Sequence, residues 1–204
     1  MAYEYDVFLS YSRQKTQATW VNDVFFQLFK DYLTDAVNIR SLRIFQDTTE
    51  ITSADDWTRR IKRAIATSKC MVCIWCPSYF NSEWCLRELS AMLHRETQLG
   101  LRTIGNPSGL IHPIKTFDGE HFPDWVQHNQ CQDYREYFYV GEAFSRSQMY
   151  LDFQKSLQNW VTHVADGIQN APRWRRQWLE PSWLDEPYTR LPKSQPRRAR
   201  KPTL

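Results

Sequence analysis

The sequence predicts an α/β fold: a five-stranded parallel sheet in the flavodoxin-like order 2-1-3-4-5, with helices on both faces. Three observations lead there. Short apolar runs alternate with amphipathic stretches along the chain, which implies βαβ crossovers and a parallel sheet between helical layers. The 204 residues are 42% hydrophobic and 24% charged, enough apolar material for a core, which excludes global disorder and fibrous architectures. The third is glycine scarcity. With six glycines and neither GxGxxG nor GxxxxGK[ST], the chain has no phosphate loop of either kind.

The elements follow in order. Residues 5 to 10, YDVFLS, form a short apolar run ending in a polar turn and are read as a buried strand. Trp20, Val21, Val24, Phe25, Leu28, Phe29 and Tyr32 then recur at helical spacing and define a broad apolar face. Leu42 to Phe45 is the second strand. After a polar loop, Trp57, Ile61 and Ile65 form the inner stripe of a second helix, with Ser53 or Asp55 as its N-cap. The third strand is Cys70 to Trp75, stopped by Pro77, and a third helix runs from the N-cap Ser82 to about Arg95, with Cys85, Leu89 and Met92 inside. Leu110 to Ile114 is the fourth strand. A short helix near Trp125 and a fifth strand over Cys131 to Tyr134 complete the sheet. Ser145 and Gln148 have the spacing of a capping box, and Met149, Phe153, Leu157, Trp160, Val161, Val164 and Ile168 keep the helical period until Pro172.

Charge divides the chain in the same place. Residues 173–204 carry nine Lys or Arg against three Asp or Glu, whereas residues 1–172 carry 17 against 20. A mildly acidic domain, residues 1–172, is therefore expected to precede a basic, Pro- and Arg-rich tail, residues 173–204, read as disordered or as a linker to a partner. The tail's RRARK could attract RNA or an acidic partner electrostatically; no nucleic-acid role is expected of the domain. The opening Met-Ala-Tyr-Glu-Tyr-Asp-Val is unlike a secretory signal, and the longest apolar run, Cys70 to Cys76, is too short for a membrane helix. A soluble cytoplasmic protein without membrane partners is expected.

Five cysteines in a chain of this size argue for reduced thiols rather than a disulfide framework. Cys70, Cys73 and Cys76 have the spacing of an iron–sulfur run, but they lie in a strand-like segment where residues three apart point to opposite faces. The histidines, His94, His112, His121, His128 and His163, show no ligand spacing either, so no metal site is expected. Arg59, Arg60, Lys62 and Arg63 are read as a solvated helix face.

In the 2-1-3-4-5 order the strand sequence reverses between the first and third strands, and ligands bind outside the carboxyl ends there. Residues Ser10 to Arg13, Pro77 to Phe80 and the start of the third helix should line any site. Trp84 and Glu88, four apart, share a helix face and set an aromatic wall beside a carboxylate. That pair suits a ribose carrying a flat cationic base: the ring can stack on the tryptophan, and the carboxylate can stabilise an oxocarbenium-like cation. Each residue also has an ordinary structural role, Trp84 as packing and Glu88 as a complement to the helix dipole.

Tyr5-Asp-Val-Phe-Leu-Ser-Tyr-Ser, then Phe45-Gln-Asp47 and Trp57, then Ser78-Tyr-Phe-Asn-Ser-Glu-Trp84-Cys-Leu-Arg-Glu88-Leu, closely resemble the Toll/interleukin-1 receptor (TIR) domain family over about residues 3 to 170. The resemblance implies an enzyme cleaving the nicotinamide–ribose bond of NAD+, with NAD+ as substrate and no cofactor. The products would be nicotinamide with ADP-ribose or a cyclic isomer. It assigns catalysis to Glu88 and substrate contacts to Trp84, Arg13, Ser10, Tyr11, Asp47 and Trp57. Arg13 would meet phosphates or remain a solvated loop charge; Asp47 would hold its loop by an Asx-type bond or touch ligand; Trp57 would cap the pocket or pack in the core. The family implies self-association through TIR–TIR contacts, a partner sensor or regulatory domain, and a role as an antiviral immune effector. Its alternative is a non-enzymatic signalling scaffold. Ala54 stands where many relatives turn on glycine, which implies a differently shaped loop at a place where family members contact neighbouring subunits. The RDxxPG signature of animal adaptors is absent, which weakens the adaptor reading and favours a prokaryotic-type effector.

Purified protein is expected to carry no stoichiometric iron or zinc. Elemental analysis checks this, and one metal per chain would overturn the strand reading of the three cysteines.

Overall fold

The computed structural model describes residues 2–37, 39, 41–47, 54–106, 108–119, 122, 123, 126 and 131–179, with only the backbone described at 54–56. The expected helix near Trp125, the N-cap Ser53, the loop residues 48–53 and the tail beyond 179 lie outside them.

Five parallel strands form one sheet in the order 2-1-3-4-5. They are β1 (Tyr5–Tyr11), β2 (Ile44–Gln46), β3 (Ser68–Trp75), β4 (Ile111–Lys115) and β5 (Gln132–Asp133). The central β1–β3 pair runs in register from Tyr5 opposite Ser68 to Tyr11 opposite Ile74. Between the strands lie α1 (Lys15–Trp20), a π-helical turn (Val21–Phe25) leading into α2 (Phe26–Ala36), α3 (Ala54–Ala66), the single turn α4 (Pro77–Phe80) and α5 (Glu83–Gln98). After β5 come α6 (Glu142–Ser145) and the long α7 (Gln148–Gln169).

The period of two along each strand splits the core into two layers. Val7, Leu9, Cys70, Val72, Ile74 and Ile114 pack with Trp20, Phe25, Phe29 and Leu33 and with Phe153, Leu157 and Val161 of α7. Phe8, Met71, Cys73, Trp75 and Ile111 face the other way, onto Ile61 and Ile65 of α3 and Leu89 and Met92 of α5. Cys70 and Cys73 thus sit on opposite faces of the sheet, as their spacing requires, and all five cysteines are free thiols. Among the described residues no helix is long and apolar enough to cross a membrane.

Three expectations change at element ends. The long helix is capped by Ser147, whose hydroxyl accepts the Tyr150 N–H at 3.2 Å, while Ser145 closes α6 instead. The chain turns between the two serines, so Ser145 and Gln148 do not form a capping box, and Met149 in the first turn is exposed rather than inside. Asp55 falls within α3 and not at its cap. Arg60 and Arg63 are exposed on the α3 face expected to be solvated, and pair there with Asp47 and Glu4.

The packed body also extends past Pro172. The Tyr3 hydroxyl donates to the Pro172 carbonyl at 2.6 Å, the Trp174 indole N–H donates to Ala66 O at 3.0 Å, and a 3-10 turn (Arg176–Leu179) follows. That turn buries Trp178 to 1% exposure against Arg95, whose guanidinium carbon lies 3.9 Å from the indole centroid. Arg95 is itself buried, donating to Ser68 O at 2.8 Å and to the Tyr3 hydroxyl at 3.1 Å. A weakly hydrated guanidinium is suited to such a site, where carbonyls take its hydrogens and an indole face covers its charge.

Trp178→Ala should lower stability by about 3–5 kcal/mol, by opening a large cavity beside a buried cation. Urea unfolding of the full chain measures this, and an unchanged midpoint would show that residues 173–179 contribute nothing to the body.

Candidate functional site

Parallel strands end together, so the carboxyl ends of β1 and β2 and the start of α5 meet on one side of the sheet. There a cleft of about 330 Å³ is lined by Phe8, Leu9, Tyr11, Arg13, Asp47, Trp57, Ser82, Trp84, Cys85 and Glu88. Its position is the strand-order reversal between β1 and β3.

The floor is Glu88. Ser82 caps α5 by accepting the Cys85 N–H at 3.4 Å, which sets Trp84 in the first turn and Glu88 one turn further in. Glu88 is 8% exposed, and Ser10 Oγ donates to its Oε2 at 2.5 Å. Ser10, on the same face of β1 as Phe8, also shares a 2.9 Å hydrogen bond with the Tyr79 hydroxyl. Burial pushes the Glu88 carboxyl up to about 7; the Ser10 hydroxyl opposes this, the Asp47 carboxylate adds to it, and the Arg13 guanidinium opposes it. The carboxyl is therefore balanced near neutrality, an unusual state for a glutamate and one that concentrates at functional sites.

The rim is held by Asp47. Its carboxylate accepts from Arg13, from the Trp57 indole N–H and from Arg60, the last at 2.7 Å. The Arg13 guanidinium lies 5.6 Å from the Trp57 ring centroid. Trp57 in turn meets Trp84 edge to face, with centroids 4.4 Å apart and planes at 79°. Two indoles at nearly a right angle thus make an aromatic corner beside Glu88. Arg87 lies over Trp84, 5.5 Å from its ring centroid, and pairs with Glu83 at 2.5 Å.

All seven residues singled out in the sequence converge here. Tyr11, Arg13, Asp47, Trp57, Trp84 and Glu88 line the cleft, and Ser10 lies beneath it, bonded to Glu88. Arg13 is neither free nor merely solvated, and Asp47 ties side chains from the β1 turn and α3. Trp57 combines its two expected roles, packing at the margin of the α3–α5 core and walling the cleft. The stretch Pro77 to Phe80, expected to line the site, instead supports it from below through Tyr79. Arg60, read only as part of a solvated face, and Tyr79, read only as one member of the stretch Pro77 to Phe80, are contributors that the sequence did not single out as site residues. Tyr79 carried one usable signal, its place directly after the third strand at the reversal point.

A larger cleft, about 670 Å³, opens between β4 and α7 among Arg102, His112, Cys131, His163 and Asp166, away from all seven residues. Burial pushes His112 down to about 4, so it is neutral. Among the described residues no group of three or more His, Cys, Asp or Glu could hold a metal ion. Size does not make this cleft the better candidate: the smaller one holds the carboxyl balanced near neutrality beside an aromatic corner.

Sheet order and cleft together define a doubly wound α/β domain with a ligand-sized site at its switch point. The TIR domain family model matches residues 7–107, and this chain carries a domain of that family. It is similar to TMV resistance protein N of Nicotiana glutinosa, 26% identical over 173 residues, which cover 85% of this chain and 12% of that protein. The chain thus spans a small part of that relative's length. Among solved structures it is similar to the TIR domain of the Toll-related receptor TRR-2 from Hydra magnipapillata, with a TM-score of 0.43, 20% identity, and coverage of 76% of this chain and 99% of that one. The TIR domains of the activated Roq1 resistosome, which directly recognizes the pathogen effector XopQ, match with a TM-score of 0.42, 22% identity, and coverage of 80% and 84%.

Because the folded state holds the Glu88 proton up to about 7, against an ordinary value of 4.5, stability is fully present below 4.5 and lost as pH rises towards and through 7. Glu88→Gln removes that loss. Its stability relative to wild type should therefore rise between pH 4.5 and 8.5 by at most on the order of 3 kcal/mol. Urea unfolding at both pH values checks this, and a pH-independent difference would contradict the raised carboxyl.

Proposed function

We propose that this TIR domain is an NAD+ glycohydrolase, with Glu88 as the catalytic carboxylate. The observation that carries the reading is a buried, nearly neutral-titrating glutamate beside an indole corner in a cleft at the switch point. At about 330 Å³ the cleft is at the small end of ligand pockets and suits the nicotinamide ribose end of the substrate. The Trp84 and Trp57 rings would receive the flat pyridinium by stacking and cation–π attraction. Arg13 has donors to spare beyond Asp47 and would meet the diphosphate.

The chemistry asks for a carboxylate rather than an acid. The ring nitrogen of bound nicotinamide is already quaternary, so when the C1′–N bond breaks its electron pair neutralises the ring and no proton need be supplied. Positive charge develops on the ribose, and Glu88 stabilises it from a site of low dielectric. Water then attacks C1′, loses a proton and gives ADP-ribose; an adenine nitrogen or ribose hydroxyl in its place gives a cyclic isomer. Self-association would bring a neighbour's loop to the cleft, so activity should rise with assembly. The similarity to a resistance protein supports a role as a defence effector.

A non-enzymatic scaffold is the second reading. It draws on the exposed apolar side chains of Phe117, Tyr139 and Val140, which lie outside the cleft.

Under crowding, wild-type protein should release nicotinamide from NAD+, at a rate that increases as pH rises through 7. Glu88→Ala should lower the rate by about 100-fold or more. Equal rates for the two proteins would sink the catalytic assignment; an unaltered NAD+ level with assembly intact would favour the scaffold.

A further inference from the structure

Three hydroxyl and carboxyl groups from three elements form a continuous chain beneath the cleft: Tyr79 of α4, Ser10 of β1 and Glu88 of α5. They are 0%, 1% and 8% exposed, with 2.9 Å between the two hydroxyl oxygens and 2.5 Å from Ser10 Oγ to Glu88 Oε2. We propose that Tyr79 is a positioning residue for Glu88, acting through the Ser10 hydroxyl to orient the glutamate and set its proton affinity. The inference rests on Glu88 being the carboxylate of the proposed site.

The direction of the chain follows from counting hydrogens. Burial pushes the Tyr79 phenol well above its usual range, so it is neutral and has one hydrogen to donate. Around it are the Phe80 ring at 5.4 Å and the apolar side chains and thiols of the α3–α5 core, including Cys73 and Cys85. Ser10 Oγ is its hydrogen-bond partner among the described residues. A buried hydroxyl seeks an acceptor, so the phenol donates to Ser10, and the serine hydrogen is left for Glu88 Oε2. Reversing the chain would turn the serine hydrogen onto the phenol and strand the phenol's own hydrogen among apolar groups. Each donor polarises the next, which favours the Glu88 carboxylate beyond what Ser10 alone would do.

Glu88 is faced from every side by groups that also bear on its proton. Arg13, on the turn after β1, favours the carboxylate, and Asp47 at the end of β2 disfavours it. Trp57 of α3 lines the same cleft and, like Arg60, donates to Asp47, and Cys85 is a neighbour on the helix of Glu88 itself. Burial and Asp47 on one side, the hydroxyl chain and Arg13 on the other, hold the group near neutrality. A tyrosine at position 79 is otherwise hard to explain, since phenylalanine would fill the same core volume without burying a hydroxyl.

The test is a pH titration of the Glu88 carboxyl by carbon-13 NMR in the full chain, with its resonance identified by absence in Glu88→Gln. Wild type is compared with Tyr79→Phe, Ser10→Ala and the double variant; both substitutions keep the core filled. Ser10→Ala should raise the midpoint by roughly 1 pH unit, because the carboxylate loses its donor. Tyr79→Phe should raise it by a smaller amount, and the double variant should match Ser10→Ala alone, since the phenol acts through the serine. A Tyr79→Phe midpoint equal to wild type, or a Tyr79 effect that persists without Ser10, would overturn the proposal. The readout needs no turnover. Wild type that cleaves no NAD+ while the midpoints behave as stated would remove the glycosidic reading and leave the hydroxyl chain intact. If cleavage is observed, the acid limb of its rate profile should move up with the same variants.

Discussion

The parallel pairing of β1 with β3 is the constraint on which everything else depends. Its register sets Ser10 opposite Cys73 and ends both strands at one level, so the turn after β1 and the helices after β3 emerge side by side. Because β2 lies on the far side of β1 and β4 on the far side of β3, the crossovers diverge and leave a gap between them. A gap at this point is inevitable in the topology; what fills it is a matter of side chains. Here it is filled with a glutamate that water scarcely reaches.

Keeping that glutamate buried costs stability, and the surrounding residues offset the cost only in part. One carboxyl oxygen accepts a short hydrogen bond from Ser10, while Arg13 is drawn towards Asp47 as well. Asp47 organises the rim, collecting Arg13, Arg60 and the Trp57 indole, yet its own charge works against ionisation of Glu88. The same arrangement that positions the aromatic corner therefore maintains the carboxyl near neutrality. Stability that is given up locally at a site in this way is common where chemistry requires a particular protonation state. At the opposite end of α3, Ala66 O receives the Trp174 indole, so the helix that carries Trp57 and Arg60 into the rim is anchored at its other end by the segment after Pro172.

Much of this was legible in the order of residues. Apolar runs at 5–10 and 70–75, short and bounded by turn signals, read as buried strands, and the stripes of Trp20 to Phe29 and Cys85 to Met92 read as faces of helices. The Ser82 cap was readable because a serine before a helical stripe satisfies free backbone N–H groups. The pairing of Trp84 with Glu88 followed from helical spacing alone. Less readable was the cap of α7, since Ser145 and Ser147 are equivalent candidates until the preceding turn decides between them. The docking of Trp174 and Trp178 was hidden by a composition rich in Arg and Pro, in which two tryptophans have no periodic neighbours to signal burial.

Local order determined the strands, the helices, the face of α5 that carries Trp84 and Glu88, and the family to which the domain belongs. Those features depend on neighbours within a few residues, where the backbone period fixes which side chains share a face. Tertiary structure alone decided that Asp47 joins Arg13, Trp57 and Arg60, that Tyr79 reaches Glu88 through Ser10, and that the carboxyl titrates near 7. Each of these depends on groups up to 78 positions apart in the chain meeting in a volume from which water is largely excluded, and both proximity and dielectric are products of the packed fold.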